Sequence, residues 1–248
     1  MILLKSLQEI ARMEVANRIV AEILEGVKEL IRPGVETREL DELAEELCRR
    51  RRVEPAFKGY RGYPRSICVS VNEEVVHGIP GARKLKTGDL VSLDFGVKHD
   101  GYYGDAAVTV AVGKVAPRAR ALLEATEASL YAGIAQVKTG KRLSDISHAV
   151  QTAVEGKGFA VIREFVGHGI GRSLHEDPQI PNFGPPGRGP VLQPGMTLAI
   201  EPMTSAGSWM VKILQDGWTA VTQDGSLSAH FEHTVALTEN GVLILSRL

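Results

Sequence analysis

The sequence predicts an α/β protein of the α+β type, built from a helix-helix-sheet unit used twice. Two observations carry that expectation. The apolar period runs helix, helix, strands, and the same order then repeats. Matching segments also recur at a nearly constant offset: Ile31-Arg-Pro-Gly-Val corresponds to Val137-Lys-Thr-Gly-Lys 106 positions later, and Thr87-Gly-Asp-Leu-Val-Ser-Leu-Asp94 to Pro194-Gly-Met-Thr-Leu-Ala-Ile-Glu201 at 107. Both copies of the second segment end in a carboxylate, so Asp94 and Glu201 are expected to be pseudo-twofold equivalents facing one centre. With no linker between the copies, residues 1–248 read as a single domain with halves at about 1–113 and 114–248.

Ser6 with Glu9 forms a capping box ahead of Ile10, Met13, Val20, Ile23, Leu24 and Val27, a helix that stops at Pro33-Gly34. Thr37 opens a second helix through Leu40, Leu43 and Leu47, which ends near the run Arg49 to Arg52. Four arginines in a last turn answer the helix dipole and face water, and no function is assigned to them. From Ser66 the period becomes that of strands: Ile67 to Val71, Leu90 to Val97, and Tyr102 to Val112. Pro117 starts a third helix, which runs to Val137 and stops at Gly140, and a fourth runs from about Ser144 to Lys157. Strands fill most of the remainder from Phe159, apart from the Pro- and Gly-rich loop Asp177 to Pro194 and the excursion Ser208 to Ser226.

A net charge of −1 gives no electrostatic case for nucleic acid or anionic membrane. The first apolar run meets a charge after three residues, which excludes a signal-peptide core, and no stretch is long enough to span a bilayer. A cytoplasmic chain is expected. Only Cys48 and Cys68 are present, so a metal would have to be held by oxygen and nitrogen.

Asp94, Asp105, His168, Glu201 and Glu232 each interrupt an apolar strand or a glycine turn. If the hairpin turns at His99-Asp100, Asp94 faces Asp105 across the ladder; a turn at Asp100-Gly101 makes them diagonal neighbours on one face. Glu201 and Glu232 both read as mid-strand residues on the polar side, and the glycines flanking His168 let the backbone approach closely. Like charges gathered on one face call for a bridging cation. Four carboxylates balance two divalent ions, which is the arrangement of two-metal hydrolases, where a bridging hydroxide becomes nucleophilic at neutral pH.

The segments Val75-Val-His77-Gly-Ile-Pro, Leu93-Asp94-Phe-Gly, Gly104-Asp105, Gly167-His168-Gly-Ile-Gly-Arg172, His175-Glu-Asp-Pro, Ala199-Ile-Glu201-Pro-Met and Phe231-Glu232-His-Thr closely resemble type I methionine aminopeptidases over essentially the whole chain. The resemblance implies a pita-bread fold, whose curved and mainly antiparallel sheet cradles two divalent ions (cobalt, manganese, iron or zinc). It places Asp94 and Asp105 on one ion and Asp105, His168, Glu201 and Glu232 on the other, with Asp105 and Glu232 bridging. It makes His77 and His175 substrate-contacting catalytic residues and Glu201 the proton acceptor. Tyr60, Tyr63, Cys68 and Trp218 become walls of an apolar methionine pocket. Leu174, where phenylalanine is common, and Phe57, where a smaller cysteine is common, depart from the pattern and bear on pocket shape. His99, His148, His230 and His233 keep the reading of surface-loop histidines.

The implied activity is removal of N-terminal methionine from nascent polypeptides and short peptides, by a monomer with at most a transient ribosome contact. Two alternatives stand beside it. A proline-directed enzyme of the same fold is disfavoured by the chain's shortness, and a metal-free peptide-binding relative by the presence of all five ligand residues.

Overall fold

The structure, a computed structural model, describes residues 1–247. The Ser6 backbone N–H donates to Glu9 Oε2 at 2.9 Å, and the Ser6 hydroxyl accepts from the Glu9 N–H at 3.3 Å. That reciprocal cap starts α1 (Leu7–Leu30) as the sequence predicts. Helices α2 (Thr37–Arg51), α3 (Pro117–Ile134) and α4 (Leu143–Glu155) also lie where the period places them. In the arginine run, Arg50 pairs with Glu46 and Arg51 with Glu22. No helix among the described residues is long and apolar enough to cross a membrane.

Nine strands form the main sheet: β1 (Glu54–Pro55), β2 (Cys68–Val71), β3 (Leu90–His99), β4 (Tyr102–Ala111), β5 (Gly167–Gly169), β6 (Glu176–Ile180), β7 (Thr197–Ile200), β8 (Glu232–Thr238) and β9 (Gly241–Ile244). Their order is β1-β3-β4-β8-β7-β5-β6, with β2 beside β3 and β9 beside β8. Every pairing is antiparallel. The earlier and later strands meet at β4 and β8, where Glu232 faces Ala107 and His233 faces Ala106.

Two apolar cores lie beneath the two helix pairs. Val20, Ile23 and Leu24 of α1 and Leu40 of α2 pack with Val91, Leu93 and Phe95 of β3. Leu122 and Leu130 of α3 and Ile146 of α4 pack with Leu198 and Ile200 of β7 and Val235 of β8. Because strand side chains alternate, residues between these apolar positions face away from the helices. Asp94 stands between Leu93 and Phe95 for that reason.

One open choice is decided and two local expectations are corrected. His99 pairs with Tyr102, so the hairpin turns at Asp100-Gly101, whose φ values of 47° and 78° suit a two-residue turn of the type that follows strand twist. Asp94 therefore faces Ala107 while Asp105 faces Gly96, which makes the two acids diagonal neighbours on one face. Glu201 and Glu232 are strand-end residues: β7 stops at Ile200 because Pro202 cannot donate to a ladder, and Glu232 begins β8. Finally, β6 occupies the start of the segment expected to be a loop from Asp177.

Candidate metal centre and active site

Asp105 is held by contacts from both halves of the chain. At Gly104 the α1 backbone crosses so closely that a Cβ would lie 2.7 Å from Asn17 N and 2.8 Å from Ala16 C. One residue on, the Asp105 N–H donates to Asn17 Oδ1 at 3.2 Å, and the Asp105 carbonyl accepts from Thr234 Oγ1 at 2.8 Å. Side chains thus satisfy a backbone that lies beyond the short β4–β8 ladder. Asn17 and Thr234 were not singled out from the sequence. His168 sits at the centre of β5 between two required glycines, since a Cβ at Gly167 would meet Ala199 O at 2.4 Å and one at Gly169 would meet Asp177 O at 2.1 Å.

These elements bring the acids and the imidazole together. One ligand atom each from Asp105, His168 and Glu232 lies within 4.8 Å of the others. His168 Nε2 is 3.4 Å from Glu201 Oε1 and 3.9 Å from Asp105 Oδ2. Asp94 borders the same cavity, about 260 Å³ in volume, together with Asp105, His168, Glu201 and Glu232. Asp105 Oδ1 and Glu232 Oε1 are buried without a hydrogen-bond partner. Oxygen atoms so placed need a proton or a cation.

The electrostatics follow from crowding. Burial pushes the Asp94 carboxyl up to about 7. Burial, with neighbouring carboxylates adding to it, raises Asp105, Glu201 and Glu232 well above the ordinary range. Burial drives His168 down to about 4, which leaves a neutral imidazole with a free lone pair.

His77 and His175 both line the cavity. His77 holds a left-handed backbone at φ 61° and stands edge-on to Phe165, ring centres 5.4 Å apart. Burial lowers its pKa. The His175 ring lies 4.3 Å from that of His168, centre to centre and tilted by 53°, and it shares a 2.8 Å hydrogen bond between Nδ1 and the Tyr60 hydroxyl. Burial first, then the nearby charges of His168, Arg61 and His77, push it down to about 3.

Tyr60, Tyr63, Cys68 and Trp218 all border the cavity, with Phe57, Leu174, Phe165 and Met203 completing its apolar side. Tyr63 and Trp218 meet edge to face at 5.2 Å, and the Tyr63 hydroxyl donates to Gly78 O at 2.9 Å, fixing the loop beside His77. Burial, then the charge of Asp94, raises the Cys68 thiol well above its usual value, so it stays a neutral wall. All four histidines depart from the surface-loop reading: His99 ends β3, His148 lies on the exposed face of α4, and the other two turn inward. His233 lies in β8, with Nδ1 and Ser246 Oγ 2.8 Å apart. His230 ends the strand Ser228–His230, is 1% exposed, and has its Nε2 3.8 Å from Glu201 Oε2. A single histidine beside Phe231 carries no periodic signal, so the sequence offers no sign of that burial.

A helix-backed antiparallel sheet presenting four carboxylates and the His168 imidazole to a largely apolar cavity is the architecture of a pita-bread metallopeptidase. Residues 11–239 match metallopeptidase family M24. The chain is 56% identical over 248 residues to methionine aminopeptidase 1 of Bacillus subtilis, covering 100% of each, and 52% identical to methionine aminopeptidase of Clostridium perfringens, covering 99% of each. The crystal structure of methionine aminopeptidase from Thermotoga maritima matches with a TM-score of 0.98 at 53% identity, covering 100% of both chains. A prolidase from Pyrococcus furiosus shares the fold, with a TM-score of 0.81 at 23% identity, covering 99% of this chain and 65% of that one. The chain belongs to family M24, among the methionine aminopeptidases.

Proposed function

We propose that residues 1–248 act as a single catalytic domain, with pseudo-twofold halves at about 1–113 and 114–248, that removes N-terminal methionine from nascent polypeptides and short peptides. The observation that carries the reading is a floor of buried, partnerless acid oxygens beneath an aromatic-walled cavity. Those oxygens, with one neutral imidazole nitrogen, fit divalent cations of the cobalt, manganese, iron or zinc type. Two cations would balance the four acids: Asp94 and Asp105 would hold one, and Asp105, His168, Glu201 and Glu232 the other, with Asp105 and Glu232 common to both. When bound, such ions polarise a carbonyl and activate water at neutral pH.

The chain's own groups do the rest. Glu201 accepts the proton of the attacking water and returns it to the leaving amine. His77 and His175, neutral and turned into the cavity, donate to the scissile amide and to the oxyanion that develops from its carbonyl. Tyr60, Tyr63, Cys68 and Trp218 enclose an unbranched thioether, which packs well against aromatic edges. A cytoplasmic monomer meeting nascent chains, with transient ribosome contact, fits this role.

Protein treated with chelator should lose activity on Met-Ala-Ser and regain it with cobalt or manganese. Preference for Ala-Pro over Met-Ala-Ser would overturn the methionine reading in favour of a proline-directed enzyme.

A further inference from the structure

His230 stands outside the roles assigned above, yet it is the imidazole on the far side of Glu201. Its backbone is fixed from the first half of the chain: the N–H donates to Thr109 Oγ1 at 2.8 Å, and the carbonyl accepts from the same hydroxyl at 2.7 Å. Ser92 Oγ, 2.8 Å away, completes the set as a donor to Thr109. Met203 faces His230 across the adjoining strand pair. The ring is therefore placed by its surroundings and has little freedom to turn elsewhere.

Both ring nitrogens are buried and make no hydrogen bond. Among the described residues, Glu201 is the one acid within 4 Å of them, with Nε2 3.8 Å from Oε2. The other oxygen of the same carboxylate, Oε1, is 3.4 Å from His168 Nε2. Glu201 is thus bracketed, with His168 on the cavity side and His230 behind. His230 does not line the cavity, so it reaches any occupant only through Glu201. A buried polar group without a partner destabilises the fold, and a leucine here would avoid that cost, so a partner is expected. The gap to Oε2 exceeds a hydrogen bond's upper range of about 3.2 Å by roughly half an ångström, which a small carboxylate rotation closes.

We propose that His230 is a positioning residue for Glu201, donating its Nε2–H to Oε2 so that Oε1 stays turned toward His168 and the cation. The proposal rests on the metallopeptidase reading. Groups that hydrogen-bond a ligating carboxylate set its orientation, and their loss weakens metal binding by roughly 10–100-fold.

The test titrates cobalt(II) into metal-free wild type, H230Q and H230L, read by visible absorption and by competition with a chelator. H230L should bind cobalt roughly 10–100-fold more weakly with an altered absorption spectrum, while H230Q, which keeps an N–H donor, stays within a few-fold of wild type. The metal-free unfolding temperature of each variant is read alongside, so that weaker cobalt binding counts only for a folded protein; should H230L fail to fold, H230M serves as the variant without a donor. Wild-type affinity and spectrum in the donor-free variant would overturn the proposal, as would an H230Q as weak as it. A wild type that binds no cobalt overturns the metallopeptidase reading and this proposal together, whereas a preference for Ala-Pro overturns the methionine reading alone.

Discussion

A single hydroxyl restrains the ring of His175. The Tyr60 hydroxyl and His175 Nδ1 share a hydrogen bond at 2.8 Å, which orients the imidazole and leaves Nε2 outside that bond. Tyr60→Phe keeps the aromatic wall and removes that restraint. A net hydrogen bond contributes about 1 kcal/mol, so kcat on Met-Ala-Ser should fall about five- to tenfold with KM nearly unchanged. Equal kcat in the two proteins would leave Tyr60 as wall alone. The sequence showed Tyr60 only as a wall, because its partner lies 115 positions away in another loop and no local pattern joins them. The acids that line the cavity were legible for the opposite reason: an acid flanked by apolar residues in a strand is a local signal, and Leu93-Asp94-Phe95 displays it within three residues. His230 gave no such signal, since its importance arises where the strand Ser228–His230 meets Glu201 across the tertiary fold.

Secondary-structure elements set how closely the candidate ligands can approach one another, and α1 against β4 is one close case. Gly104→Ala would press a methyl onto the α1 backbone at Asn17 and Ala16, and neither the helix nor the central strand can move freely. The expected cost is about 1–3 kcal/mol in denaturant unfolding, with weaker cobalt binding because Asp105 is the next residue. Unchanged stability would mean that α1 shifts easily and does not fix Asp105. Element identity was legible in the apolar periods and caps, as at Ser6 and Pro117, whereas register was not. Both hairpin turns were chemically acceptable, and Gly101 in a left-handed conformation decides between them. Likewise the excursion Ser208 to Ser226 showed no strand pairing of its own, and only the resemblance marked Trp218 within it. Its strands Val211–Ile213 and Ala220–Thr222 form a hairpin that pairs with Glu74–Val76, and this brings Trp218 to within 6.3 Å of His77.

Across the whole molecule, the site's acids and the buried imidazoles oppose one another in their response to pH. Carboxylates raised by burial hold protons in the fold that the unfolded chain has released, so their contribution is complete below about pH 4 and lost as pH rises through the folded values, about 7 for Asp94 and well above the ordinary carboxylate range for the other three. Buried histidines act in the reverse sense: His168 and His233 at about 4, and His175 and His230 at about 3, contribute fully above about pH 6.5 and lose that contribution as pH falls. Between these limits the two sets offset. Above about pH 6.5 only the carboxylates still titrate differently in the two states, so the metal-free protein should lose stability toward about pH 8, where unfolded-state thiols begin to ionise. Cations that replace those protons remove the cause, and the gap in melting temperature between cobalt-loaded and chelator-treated protein should widen from about pH 6.5 to about pH 8. Thermal unfolding at both ends of that window measures it. A gap that stays constant or narrows would mean that the four acids do not carry protons in the metal-free fold, and the charge balance that calls for two cations would lose its physical basis.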